Sequence, residues 1–410
     1  MDGRSAPVVT RPEAPARPIG PPGDHAVRRR LAIARLASYL KPMRWPVAVY
    51  LGSRLLLLVV ALVDDAIWHK GLMTEFTNWD GRWYVAVAAH GYPDFVVRHG
   101  YTTLGFFPLY PMLMWLVAHV LVCSVSVAGL VLALVGGFVA TLLVERLALG
   151  WWGPTGARRA VAFFCFFPGA VVFSMAYSEG VLIPLAAGCI LACEHRRWLA
   201  AGVLAGLATA VGPDGVVLIV VCAVAAAMEL RRVGWRDPSF RRSLVAPVLS
   251  PVGVAAFGLF LWVWTGSPFA SLIAQHDGWG ERIDGIALVR QAQTLAGEIS
   301  LTHFDYHKIN LNLVVGLLGV IVLVAGLALL VRRPRTVSLE ARIWAFGIAV
   351  LTVTSEYVPP NPRFLLIAFP LLAVLAVRAS WRGYWWLMGS SIVLFAILSG
   401  ITYVDSVLRP

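Results

Sequence analysis

Uncharged apolar runs, each about as long as a bilayer is thick, recur throughout this chain and constrain it more than any other feature. They lie near residues 45–63, 126–148, 160–176, 179–194, 198–212, 214–230, 244–265, 309–331, 340–356, 363–379 and 383–403. A hydrocarbon core of about 30 Å takes roughly 20 apolar residues of helix to cross. Within lipid only helices and closed barrels satisfy every backbone N–H and C=O. The runs therefore predict an all-α polytopic membrane protein with about 11 transmembrane helices. The range is about 9–12, because some runs are short or contain Pro168 or Pro213. With 59% hydrophobic and only 14% charged residues among 410, no composition is left for a second, soluble domain.

A net charge of +12 in a soluble chain would suggest nucleic acid, but here the basic residues cluster between apolar runs. That is the positive-inside pattern, and nucleic acid is not an expected partner. With the N-terminus cytoplasmic and Leu104–Val122 lying in the interface, 25 of the 34 basic residues fall inside. If Leu104–Val122 crossed the bilayer, every later cluster would change sides and the bias would invert. Residues 1–44, rich in Pro, Ala and Arg, are expected to be a disordered basic cytoplasmic tail. Residues 45–410 then form one transmembrane domain with two long outer loops, 64–125 and 266–308. The five cysteines lie in or beside apolar runs and read as small buried hydrophobes.

Unusual residues concentrate on the predicted outer side. In Asn78-Trp79-Asp80-Gly81-Arg82-Trp83-Tyr84 a carboxylate and a guanidinium lie among three aromatic rings, just past the first span. Aromatic faces stack on the apolar side of a hexose, and a carboxylate can take a proton from a sugar hydroxyl. The alternative is an interfacial aromatic belt with one solvated Asp. Trp83 to His90 reads as a short amphipathic helix on the membrane surface, and Phe106-Phe107-Pro108-Leu109-Tyr110-Pro111 as an interfacial or re-entrant turn.

The succession Trp79-Asp80-Gly81 with Trp83-Tyr84, then His90-Gly91-Tyr92, then Phe106 to Pro111 resembles the PIG-V family of membrane mannosyltransferases, within the GT-C class of polyprenyl-phosphate-sugar-dependent transferases. Further matches are Phe166-Phe167-Pro168-Gly169 running into Tyr177-Ser178-Glu179, Gln275 with Trp279-Gly280, and Asn361-Pro362-Arg363-Phe364 with Phe369-Pro370. The chain departs at Gly212-Pro213-Asp214-Gly215, where family members often show an Arg-Pro-x-Gly type of sequence. The resemblance implies a GT-C-like fold. It also implies inverting transfer of mannose from a polyprenyl-phosphate donor to a hydroxyl of a lipid-linked or cell-envelope glycan on the extracytoplasmic face. Asp80 is the position matching the family's general base. No cofactor or metal is implied; His303, Asp305 and His307 read as acceptor or phosphate contacts.

For the departing phosphate the candidates are Arg363, Arg82, His307 and Lys308. Arg363 at the mouth of a span must meet an anion or snorkel, and Glu356 is close enough in sequence to be its local partner. Arg82 either contacts phosphate or pairs with an acid. Glu179 and Tyr177 near the outer end of the third run, Gln275, His90, Trp79, Trp83 and Tyr84 complete the candidate substrate-binding set. Arg54, inside the first run, is expected to pair with an acid of the bundle. An arabinose or glucose lipid donor would suit the same residues. A transporter or flippase of lipid-linked sugar is the competing class, but it would place ionisable groups near the midplane and show related halves, and no internal repeat is visible.

Overall fold

The computed structural model describes residues 43–299, 309–333, 336–356, 359–404 and 408–410. The expected tail, nearly all within residues 1–42, and the candidates His303, Asp305, His307 and Lys308 lie outside the described residues. The rest is helical. Helix α1 (Arg44–Trp68) enters first, and α2 (Leu72–Phe76) and α3 (Asp80–His90) follow as short surface helices. Helix α4 (Leu109–Leu121) leads into α5 (Val125–Phe166), which is bent at Gly153 and followed by a 3-10 segment, Pro168–Ser174. Next come α6 (Glu179–Glu194), α7 (Trp198–Thr209) and α8 (Val217–Val233). Then follow α9 (Pro238–Ser243), α10 (Val245–Leu249), α11 (Val252–Thr265), α12 (Ala270–Ile273) and α13 (Ala287–Glu298). The chain closes with α14 (Leu311–Arg332), α15 (Leu339–Val353), α16 (Pro362–Ile367), α17 (Phe369–Arg378) and α18 (Trp381–Val404).

Among the described residues, five helical stretches are long and apolar enough to cross a membrane alone: Arg44–Trp68, Val125–Phe166, Pro238–Thr265, Leu311–Arg332 and Trp381–Tyr403. Pro168–Ser174 with Glu179–Glu194, bent by 110°, makes a sixth if taken as one span. The other predicted spans are not continuous helices of that length. Helix α7 has 12 residues and α15 has 15, and the tenth run is divided at Ala368 into α16 and α17. Proline and glycine interrupt these runs, and a break in lipid survives only where neighbouring helices satisfy the freed backbone groups.

Helix α4 covers most of Leu104–Val122. At about 1.5 Å per residue its 13 residues reach about 20 Å, well short of a bilayer core. The predicted turn before it is extended at Phe106, with Pro108 at the cap of α4.

Helix α1 shows how an all-apolar stretch selects its inner face. Tyr50, Arg54, Leu57 and Ala61, spaced by three and four residues, are buried, while Leu51, Leu55, Leu58 and Leu62 are exposed as a lipid-facing stripe. Among the described residues Arg54 pairs with no acid, contrary to expectation. Its guanidinium donates to the carbonyls of Ala170 (2.8 Å) and Cys165 (3.3 Å) and to Ser174 Oγ (2.8 Å), and it lies over the rings of Tyr50, Phe173 and Phe395. The acceptors are carbonyls released where α5 ends and the 3-10 segment begins, so a helix break supplies the partial negative charge that an acid would have supplied. Gly169, within that segment, lies so close to the backbone of Pro362 that an added Cβ would stand 2.1 Å from its carbonyl oxygen. Through this contact Arg54 helps set the position of the residue next to Pro362, Arg363.

The helices also separate the charges. Glu179, Asp214 and Arg363 stand at one end of α6, α8 and α16–α17. Arg196, Arg232 and Arg378 stand at the other, where Glu229 is held by Arg232 (2.7 Å) and Arg196 (3.3 Å).

Two expected outcomes follow. Arg54→Met leaves buried carbonyls without donors and should cost on the order of 3 kcal/mol, read as a lowered thermal unfolding midpoint in detergent, with Arg54→Lys intermediate. In the elbow after α1, Glu75 is buried with both carboxylate oxygens lacking a partner among the described residues. Burial first, then the charges of Asp65 and Asp64, push its carboxyl up to about 7. The folded state therefore holds this proton more tightly than the unfolded chain, and the associated stability is full below about pH 4.5 and lost as pH rises through about 7. Unfolding midpoints of wild type should fall between pH 5.5 and 8.5, and Glu75→Gln should flatten that slope.

Candidate active site

Two backbone segments distant in sequence zip together to form the site. Ala176 N–H donates to the Phe76 carbonyl (2.8 Å), and Asp80 N–H donates to the Tyr177 hydroxyl (3.1 Å). Gly81 packs with its Cα side toward the Ala176 carbonyl, where an added Cβ would be 3.4 Å away. The residue before Asp80 takes the strain: Trp79 has φ 56° and ψ −123°, a region side chains seldom occupy. Such outliers persist only where the surroundings over-determine them. Here the turn places Asp80 in the first turn of α3, which starts earlier than the Trp83 predicted from sequence.

Arg363 joins the two segments. Its Nη1 lies 2.5 Å from Asp80 Oδ2 and its Nε 3.2 Å from Glu179 Oε1, and the guanidinium lies over the Tyr177 ring at 5.4 Å. It neither snorkels nor pairs with Glu356, which is bound instead by Arg290 at 3.5 Å. Both local readings fail because α16 starts at Pro362 and directs Arg363 inward, while Glu356 lies before the break. Asp214 lies within electrostatic reach of both Arg363 and Glu179. One guanidinium thus pairs with two carboxylates, and a third stands nearby. Asp80 is the most accessible of the paired groups, its side chain 32% exposed against 16% for Arg363 and 7% for Glu179. A carboxylate held in place by a fixed cation and open on one side can accept a proton from an incoming hydroxyl. Glu179 keeps one buried oxygen, Oε2, without a partner among the described residues.

Aromatic residues wall the neighbouring surface. Trp83 stacks on Phe106 (6.1 Å) and meets Trp279 edge-on (5.2 Å), and Tyr101 packs on Trp279 (4.6 Å). Trp83 and Trp279 are half-buried and Tyr101 is exposed, so the group offers ring surface outward. Tyr84 is buried and frames the site, its hydroxyl donating to Ser178 Oγ at 2.8 Å. Gln275 donates to the Gly105 carbonyl (3.0 Å) and fastens the segment after α12 to the one before α4. Arg82 and His90 are exposed and not drawn into the acid–arginine cluster. Among the described residues Arg82 pairs with no acid.

The sequence reading missed Asp214 as a site residue, treating it only as a departure from a motif. The available signal was a Gly-Pro-Asp-Gly break at the same end as Glu179. Among the described residues, the set with metal-ligand spacing is Cys189, Cys193 and Cys222, all buried, with sulfurs within 4.8 Å of one another. It lies on α6 and α8, away from the acids, and only the one-turn spacing of the first two was legible in the sequence.

The fold and site are those of a polytopic helical membrane protein with an acid–arginine cluster gathered at one end of its bundle. Residues 43–229 match the family described as Mannosyltransferase (PIG-V), the family that the motifs resemble. That stretch holds Asp80, Tyr177, Glu179 and Asp214, and Arg363 lies beyond it. Among solved structures the chain is similar to ArnT from Cupriavidus metallidurans bound to undecaprenyl phosphate, at 17% identity over 83% of this chain and 63% of that one, with a TM-score of 0.46. It is also similar to the Archaeoglobus fulgidus oligosaccharyltransferase in its apo form, at 13% identity over 91% of this chain and 57% of that one, with a TM-score of 0.46. The chain spans less than two thirds of the length of either. No curated protein matches it in sequence.

Arg363→Ala should leave Asp80 and Glu179 facing one another without a cation. Breaking a buried pair in this way costs about 3–5 kcal/mol, and adding Asp80→Asn should restore part of the loss. A double-mutant cycle on unfolding in detergent reads that coupling.

Proposed function

We propose that the protein is an inverting glycosyltransferase that moves mannose from a polyprenyl-phosphate-mannose donor to a hydroxyl of a lipid-linked or cell-envelope glycan on the extracytoplasmic face. Asp80 is the general base. The observation that carries this reading is the Asp80–Arg363–Glu179 arrangement, in which the most exposed carboxylate is held by a buried arginine. The family match over residues 43–229 supports the sugar and the reaction class.

In the reaction, the acceptor O–H bond breaks as its proton passes to Asp80 Oδ, and the oxygen forms a bond to the anomeric carbon. The bond from that carbon to the phosphate oxygen breaks, and the phosphate departs on the opposite face with the bonding pair, which inverts the anomeric configuration. Positive charge builds on the ring as in glycoside hydrolysis. The carboxylates gathered near Arg363 favour that charge. The Trp83, Tyr101 and Trp279 rings offer the acceptor sugar a stacking surface.

The test uses purified wild type and Asp80→Asn in nanodiscs, radiolabelled polyprenyl-phosphate-mannose and an envelope lipid extract, with products separated by thin-layer chromatography. Wild type should give a new labelled band. Asp80→Asn should lower its rate by about 10²–10⁴, the range of a positioned general base, with unchanged membrane insertion. Arabinose and glucose donors run in parallel identify the sugar. Lipid movement across a vesicle bilayer without product from any donor would replace the transferase with a transporter.

A further inference from the structure

Away from the acid–arginine cluster, Cys189, Cys193 and Cys222 bring together three metal-ligating side chains that the transfer chemistry does not use. Cys189 and Cys193 stand one turn apart on α6 and share a face, and Cys222 meets them from α8. All three sulfurs lie within 4.8 Å of one another, and those of Cys189 and Cys222 are 3.8 Å apart. The side chains are buried, at 0%, 3% and 0% exposure in chain order. Packing alone asks only for small apolar residues, and alanine fills that role at Ala186, Ala192 and Ala225 of the same helices. The convergence of three polarisable donors is what packing leaves unexplained.

The spacing is that of a coordination sphere. Three sulfurs set about 2.3 Å from a central ion in one plane are about 4.0 Å apart. The 3.8 Å separation fits this, whereas a disulfide needs its sulfurs at about 2.05 Å. Thiolate ligands select Cu(I) and Zn(II) over harder cations. On binding, S–H bonds break, the protons leave to water and S–metal bonds form, with no change of oxidation state. Exchange of two thiol protons for Zn(II) leaves the net charge of the pocket unchanged, which burial favours. Cu(I) is satisfied by three sulfurs, whereas structural zinc takes four ligands. A polar end of the bundle gives access: Cys193 adjoins Glu194, the last residue of α6, and Glu340, with Arg342 beside it, lies within electrostatic reach of both.

We propose that Cys189, Cys193 and Cys222 form a binding site for one thiophilic metal ion, Cu(I) or Zn(II), that pins α6 to α8. These helices begin at Glu179 and three residues after Asp214, so the ion would brace from within the bundle the two elements that present those acids. The site stands apart from the transferase reading, and its test needs no substrate.

The test uses the full chain in nanodiscs with its affinity tag removed and with Cys123→Ala and Cys165→Ala, which leaves these three thiols as the only ones. It is titrated without oxygen with Cu(I), Zn(II) and, as a hard control, Mg(II), each against a competing chelator. Bound metal is counted by mass spectrometry after gel filtration. One equivalent of Cu(I) or Zn(II) per chain should be retained, and no Mg(II); which of the two is held more tightly identifies the ion. The bound ion should also raise the thermal unfolding midpoint, because it binds the folded chain. Cys222→Ala should weaken retention about tenfold or more, since losing even a hydrogen-bond partner of a ligand costs that much. Cys193→Ala, at the helix end, is the second variant, and the midpoints of both without metal show that they fold. Retention of neither Cu(I) nor Zn(II), or retention unchanged by Cys222→Ala and Cys193→Ala, would overturn the site and return the three thiols to packing.

Discussion

The structure depends on one buried cation. Arg363 holds Asp80 and Glu179 together, and those acids in turn make an arginine tolerable at the mouth of a helical bundle. A lone charge of either sign there is costly, and mutual pairing offsets that cost only when the geometry is good. Much of the architecture can be read as securing that geometry. Arg54 binds the carbonyls where α5 breaks, the 3-10 segment packs on Pro362 through Gly169, and Tyr177 fixes the backbone of Asp80.

In the proposed transfer, acids gathered beside one guanidinium suit a reaction that develops positive charge on a sugar ring.

Much of this was legible in the sequence. Apolar runs gave the helical membrane class, Trp79-Asp80-Gly81 marked a site, and Glu179 and Arg363 stood out as ionisable residues at span ends. What was not legible was which charges would meet. Glu356, seven residues before Arg363, looked like its partner, but the partner is Asp80, 283 residues away. Arg54 looked as if it needed an acid, because a sequence shows acids and does not show carbonyls freed by a helix break. Asp214 was hidden for a related reason: a departure from a motif reads as a loss until the fold shows what stands beside it. The span count also exceeded what continuous helices supply, because composition records hydrophobicity and Pro or Gly decides where the helix stops.

The separation between Asp80 and Arg363 has a consequence in time. A chain threaded into a membrane from its N-terminus delivers Asp80 and Glu179 long before Arg363 has been synthesised. Until α16 arrives, the nascent bundle carries these acids without their cation. The pairing is therefore complete only after residue 363 has been made, so a ribosome that stops before it leaves Asp80 and Glu179 embedded without their partner.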